Sequence, residues 1–118
     1  MQLTASTLGE LIKSLRSNEQ AGADKRVDPR VGLRARAEIQ VPISNERLQI
    51  WVRDVSAGGV SILCPRYFEL ENEFSLILDA EAIESATCRV THCRRVGSDL
   101  YSIGAKFTDY SPKKKSRN

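Results

Sequence analysis

Residues 51–63 read WVRDVSAGGVSIL, and this stretch indicates how the whole chain folds. Apolar and polar residues alternate up to Arg53 and again from Val60, which is typical of two neighbouring β-strands. Between them, the glycine pair Gly58-Gly59 predicts a tight hairpin turn. Such a turn does not require Asp54 and Ser56, which are spaced so that both side chains leave the strand on one face. We therefore treat this pair as candidate binding residues.

The same alternation continues on both sides of this hairpin. It predicts six strands, around residues 33–41, 48–53, 60–64, 74–78, 88–96 and 101–107. Short alternating strands with polar turns are typical of a closed antiparallel barrel or a sandwich. In a chain of 118 residues, a barrel protects its strand edges better than an open sheet does. We therefore expect an all-β fold, a six-stranded antiparallel barrel.

A short amphipathic helix is predicted before the barrel, from Leu8 to Ser17. Thr7 and Glu10 have the spacing of a capping box. The apolar residues at helical spacing are Leu8, Leu11, Ile12 and Leu15. A helix this short is marginal in water, so it must pack on its own domain, on a second copy of the chain as a homodimer, or on another protein.

Composition indicates a globular protein, with 41% apolar and 28% charged residues. We expect a helix and linker over residues 1–24, a barrel domain over 25–110 and a basic disordered tail over 111–118. We find neither an apolar run long enough for a membrane span nor a signal peptide, and therefore expect a cytoplasmic protein.

The basic residues are concentrated in two places. Residues 25–36 hold five basic residues and one acidic residue, and the C-terminal stretch KKKSRN holds four basic ones. Residues 48–112 are acidic, with nine Asp and Glu against six Lys and Arg. Local basic patches indicate an anionic partner.

No pattern in the sequence favours catalysis or metal binding. The three cysteines, Cys64, Cys88 and Cys93, form no CxxC pair, and His92 is the single histidine. His92 shares strand parity with Val90, so we expect it in the core. No nucleophile elbow, phosphate-binding glycine loop or zinc motif is present. We therefore expect neither an enzyme nor a resident metal or cofactor.

Two motifs favour an anionic, base-bearing ligand. Arg26 and Arg30, separated by three residues, precede the first predicted strand, and a guanidinium fits phosphate oxygens or the edge of a guanine. Taken alone, this spacing is also typical of a solvated charge run. Asp54 and Ser56 are expected on the outer face, opposite Val52, where a carboxylate can accept hydrogen bonds from guanine N1–H and N2–H. Alternatively, the pair caps a hairpin turn.

The two motifs together resemble the PilZ domain family. That family carries RxxxR before its first strand and DxSxxG at the end of a later one, and the stretch YSIGAKF over residues 101–107 is similar to its closing strand. The resemblance covers residues 25–110 and implies a six-stranded barrel that binds cyclic di-GMP. It implies phosphate and guanine contacts from Arg26 and Arg30, guanine contacts from Asp54 and Ser56, and an open surface at Gly59. Weaker ligand candidates are Lys25, Gly58, Arg94 and Arg95.

This resemblance implies a receptor that changes conformation on ligand binding and signals through a protein partner. We expect Trp51 outside the barrel, covered by the N-terminal helix. One alternative is a PilZ-like adaptor that contacts proteins without ligand. The other is a small-barrel RNA-binding protein, which is disfavoured because no pair of exposed aromatic residues on adjacent strands is expected to stack bases.

Overall fold

The strands predicted from the sequence close into a barrel. The computed structural model describes residues 2–16, 31–78 and 83–112, with the backbone alone for residues 31–34 and 112. The elements are α1 (Ala5–Arg16), β1 (Val31–Gln40), β2 (Arg47–Val55), β3 (Gly59–Cys64), β4 (Glu73–Ile77), β5 (Ile83–Gly97) and β6 (Leu100–Pro112). The expected tail over 111–118 begins too early, because Ser111 and Pro112 belong to β6. Outside the described residues lie 17–30, which include Ser17 at the end of the predicted helix, the expected linker and Lys25, Arg26 and Arg30, and also 113–118.

All strand pairs are antiparallel, and the strand order around the barrel is β1-β2-β3-β6-β5-β4. The pairing of β1 with both β2 and β4 closes the barrel. The predicted all-β barrel is therefore confirmed. Inward positions are apolar because strand side chains alternate between two faces. Among the fully buried ones are Ile39, Ile50, Val52, Ile62, Phe74, Leu76, Val90, Ile103 and Phe107.

The last two strands are longer than the sequence pattern predicts. The strand expected from residue 88 begins at Ile83, and the strand expected to end at Phe107 continues to Pro112. Register shifts interrupt the β5–β6 ladder at four places. Because each shift offsets the inward and outward positions, the period-two pattern cannot be followed along the whole ribbon.

The N-terminal helix packs on its own barrel, which is one of the three arrangements left open by the sequence. Leu11 and Leu15 are buried with Leu3 in the barrel core, and α1 contacts β1 and β5. The helix begins at Ala5 rather than Leu8, because Thr4 caps it: its Oγ1 accepts from the Thr7 amide at 3.1 Å. No helix in the described part of the chain has the length and apolar character of a membrane span.

Trp51 lies on the outer face of β2, as predicted, and is half-buried. The guanidinium carbon of Arg36, opposite it on β1, lies 5.2 Å from the centroid of the indole ring. Arg36 of β1 is therefore a cover for this ring, where α1 was expected. The described contacts of α1 are with β1 and β5.

Candidate functional site

The β2–β3 hairpin holds the motif DxSxxG at one end of the barrel. The amide of Ser56 donates to the carbonyl of Gly59 at 2.9 Å and closes the turn. The carbonyl of Ala57 accepts from the amide of Leu3 at 2.8 Å, and that of Gly58 accepts from Phe107 at 2.9 Å. Backbone hydrogen bonds from Leu3 on one side and from Phe107 on the other therefore anchor the backbone of the turn.

A β-bulge points Asp54 away from the core. Strict alternation puts Asp54 on the same face as Val52, which is buried. The register with β3 shifts between these two residues, so that Val52 pairs with Ile62 and Asp54 with Ser61. Val55 is then buried, and Asp54 reaches the surface. Asp54 is therefore outward, as predicted, but the reason given for the prediction was wrong. Asp54 and Val52 share strand parity, and only the bulge places them on opposite faces.

Gly59 allows two strands to approach closely. A Cβ atom at this position would collide with the carbonyl oxygen of Ala105 on β6, next to Lys106, which is the partner of Gly59 in the ladder. Its φ angle lies outside the left-handed region, so close approach explains this glycine and a positive φ does not. At Gly58, by contrast, a Cβ atom would meet only Gln2 Nε2 at an ordinary 3.6 Å.

These residues line a surface cavity of about 260 Å³. Asp54, Ser56, Gly58 and Gly59 form the wall contributed by the hairpin. The rest of the lining comes from Val60, Ser61, Thr91, His92, Gly104, Ala105 and Lys106. The cavity thus combines a carboxylate, three hydroxyl groups, an imidazole and an ammonium group. Such a set can pair with the donors of a heterocyclic base and with an adjacent anionic group.

His92 lies in this cavity and not in the core, so the predicted burial is wrong. The register of β5 with β6 shifts between Val90 and His92, which leaves Val90 buried and His92 exposed. The imidazole lies over Gly104, where a Cβ atom would collide with the ring. Thr91 donates from Oγ1 to the carbonyl of Gly104 at 3.1 Å and so fixes the bulge.

Sequence reasoning therefore missed His92, Thr91, Lys106 and Ser61 as cavity residues. The signal that could have indicated His92 is Gly104, because a glycine inside a strand pattern often marks a bulge or a close approach. Ser61 is an outward residue of β3 in the hairpin itself, where it pairs with Asp54. Lys106 is an outward residue of β6, and only the pairing of β3 with β6 brings it to the hairpin.

The remaining predicted ligand residues are not all in this cavity. Lys25, Arg26 and Arg30 lie outside the described residues. Arg94 and Arg95 are exposed on β5 beyond His92 and do not belong to the cavity lining, and Arg95 Nε donates to the carbonyl of Gly97 at 3.2 Å. Among the described residues, no group of His, Cys, Asp and Glu side chains could hold a metal ion.

A second opening lies between the helix and the outer face of β1. It measures about 490 Å³ and is lined by Ser14, Leu15, Arg36, Ala37, Glu38, Gln49, Ile77 and Leu78. Although larger, this opening contains neither Asp54 nor Ser56, and the single carboxylate of its lining is already engaged: Glu38 accepts from Arg47 at 2.8 Å and from Gln49 at 3.0 Å. The hairpin cavity is therefore the better candidate for ligand binding.

Comparison with known proteins agrees with the motifs at this cavity. The family model described as the PilZ domain matches residues 24–117, which is most of the chain. A search of curated proteins found none with a similar sequence.

Proposed function

Because the chain belongs to the PilZ domain family, we propose that it is a cyclic di-GMP receptor that signals through a protein partner. PilZ domains are in general binding domains for this nucleotide, and the family is not one of enzymes. The observation that carries the proposal is the position of Asp54, Ser56 and Gly59 in the wall of a single surface cavity. These three residues are the ones that the DxSxxG motif contributes.

The groups in the cavity suit one guanine base. The Asp54 carboxylate accepts from the guanine N1–H and N2–H groups, and Ser56 adds a hydroxyl that can donate or accept. A cavity of about 260 Å³ is slightly below the roughly 300–1,000 Å³ typical of small-molecule pockets. In the proposed complex, one base therefore enters the cavity and the phosphates remain outside it.

Phosphate binding belongs to the basic residues in this proposal. Arg26 and Arg30 have forked guanidinium groups that pair with phosphate oxygens in a bidentate manner. Lys106, which lines the cavity, provides a further positive charge beside the base. The sequence motif RxxxR, and not an observed contact, supports the assignment of the two arginines.

Signalling follows from the order of the elements along the chain. The RxxxR segment directly precedes β1, and β1 is one of the strands on which α1 packs. Ligand binding that draws this segment toward Asp54 therefore acts on the strand beside the helix. A partner protein that binds the two arrangements with different affinity reads the change, as any coupling between sites requires.

Isothermal titration calorimetry with cyclic di-GMP tests this proposal. We expect micromolar or tighter binding of cyclic di-GMP, and an affinity at least tenfold lower in Arg26→Ala and in Arg30→Ala. An equal concentration of GMP as a competitor should leave the affinity for cyclic di-GMP unchanged. Arg47→Ala is the matched control, because Arg47 is an exposed arginine paired with Glu38 at 2.8 Å outside the cavity. A flat trace from folded protein would instead favour a ligand-independent adaptor.

A further inference from the structure

One outer face of the barrel has the composition of a protein interface. Adjacent strands pair so that their outward residues form one row around the wall. Arg36 pairs with Trp51, Trp51 with Leu63, Leu63 with Ser102, and Ser102 with Arg94. Together with Arg53, which extends over this row, these residues are named the Trp51 face.

The Trp51 face is wide enough for a short peptide segment. Its row crosses five strands, β1, β2, β3, β6 and β5. Neighbouring strands lie about 4.8 Å apart, so the row measures about 19 Å along the curved wall of the closed barrel. A segment of about six residues that follows this curve has that length.

The centre of the Trp51 face is apolar and held in place. Trp51 and Leu63 are both half-buried, so part of each apolar side chain is accessible. Arg36 lies over the indole ring at 5.2 Å and restricts its orientation. Trp and Arg are the residues most enriched at the energetic centres of protein interfaces.

The charges of the Trp51 face are all positive. Arg53 Nη1 donates to Ser102 Oγ at 3.2 Å, which places a guanidinium over Ser102, a buried residue between Leu63 and Arg94 in the row. Arg94 is exposed and forms no ion pair or hydrogen bond with the described residues. The nearby Glu38 is bound by Arg47 and Gln49, and Asp54 turns into the cavity. The face therefore offers guanidinium groups around an apolar centre.

We propose that the Trp51 face binds an acidic segment of a partner protein. Carboxylates of the segment pair with Arg53 and Arg94, and its apolar side chains pack on Trp51 and Leu63. Charge complementarity selects this partner chemistry. Single-stranded nucleic acid fits less well, because stacking of successive bases requires more than one aromatic platform, and Trp51 is the one aromatic residue of the face. The proposal does not depend on cyclic di-GMP binding.

Tryptophan fluorescence tests the proposal without labels, because Trp51 is the single tryptophan of the chain. The probe is an acetylated hexapeptide that alternates glutamate with leucine. We expect a saturable change in emission, and binding about tenfold weaker in the double variant Arg53→Gln/Arg94→Gln. The matched control is Arg89→Gln, since Arg89 lies on the same strand as Arg94 and faces Glu73 at 3.6 Å. It should bind the probe within about twofold of the unmodified chain.

Several results would overturn the proposal. These are the absence of a saturable change, equal binding of a peptide with lysine in place of glutamate, and an equal loss in Arg89→Gln. Tighter binding of an oligothymidylate that depends on the same arginines would show that the face binds nucleic acid instead. If the double variant does not fold, the single variant Arg94→Gln and backbone amide NMR shifts of Trp51 and Leu63 provide the same test.

Discussion

Gly58 and Gly59 are neighbours in the sequence, but the space around them differs. A Cβ atom on Gly59 would collide with the backbone carbonyl of Ala105, which belongs to the β3–β6 ladder and cannot rotate away. We expect Gly59→Ala to lower the free energy of unfolding by about 1–3 kcal/mol, and Gly58→Ala to change it by less than about 0.5 kcal/mol. Urea denaturation of the two variants measures this difference. Equal losses would contradict the close approach.

Asp54 is the residue on which base recognition depends most directly. Replacing its carboxylate with the amide in Asp54→Asn presents N–H donors to the guanine N–H donors. Hydrogen bonds to charged groups contribute about 1.5–3 kcal/mol, so we expect cyclic di-GMP affinity to fall by about 10- to 100-fold. Asp99→Asn is the matched control, because Asp99 lies in the β5–β6 turn with a φ of 54°, which Asn tolerates. An unchanged affinity in Asp54→Asn would remove this residue from the site.

Individual residues also show where sequence reasoning reached its limit. The motif residues Asp54, Ser56 and Gly59 could be found because their spacing is fixed along one hairpin. The direction of a side chain, however, depends on every bulge before it. The bulges at Arg53 and Thr91 reverse the strict alternation for Asp54 and His92, and bulges have no reliable signature in a single sequence.

At the scale of elements, α1 belongs to the barrel core. Leu11 is fully buried and Leu15 nearly so, which makes the helix part of the hydrophobic core rather than an appendage. We expect Leu11→Ala to lower the free energy of unfolding by about 2–5 kcal/mol, because it leaves a cavity. The control Ile43→Ala removes an aliphatic side chain that is 99% exposed, and should have little effect. Chemical denaturation measures both variants. If Leu11→Ala lowers the free energy of unfolding as little as Ile43→Ala does, α1 is not part of the cooperative unit.

The elements themselves were predictable where their period was regular. All six strands and the helix were expected in the correct order, since each contains at least three alternating or helically spaced apolar residues. The ends were not. The helix starts earlier because Thr4 caps it. Residues 108–112 form a strand because they pair with β5, although their composition does not show the alternation of a strand.

At the scale of the whole molecule, burial of thiols makes stability depend on pH. Burial raises the pKa of Cys88 to about 12, whereas an unfolded cysteine titrates near about 8.5. Between these values the folded state keeps a proton that the unfolded state loses, so the free energy of unfolding falls as pH rises from about 9 to 12. The slope from this group approaches about 1.4 kcal/mol per pH unit. The free energy of unfolding, measured with denaturant across this range, should fall less steeply with pH in Cys88→Ala than in the unmodified chain. Identical slopes would contradict the raised pKa of Cys88.

An NMR titration of backbone amides with cyclic di-GMP shows whether this nucleotide binds at the hairpin cavity. We expect saturable shifts at Asp54, Ser56, Gly59, His92 and Lys106, which surround the cavity. The β1–β2 turn around Ile43, at the opposite end of β2, should remain unchanged. Shifts confined to that turn, or none at all in folded protein, would show that cyclic di-GMP does not bind at the hairpin cavity.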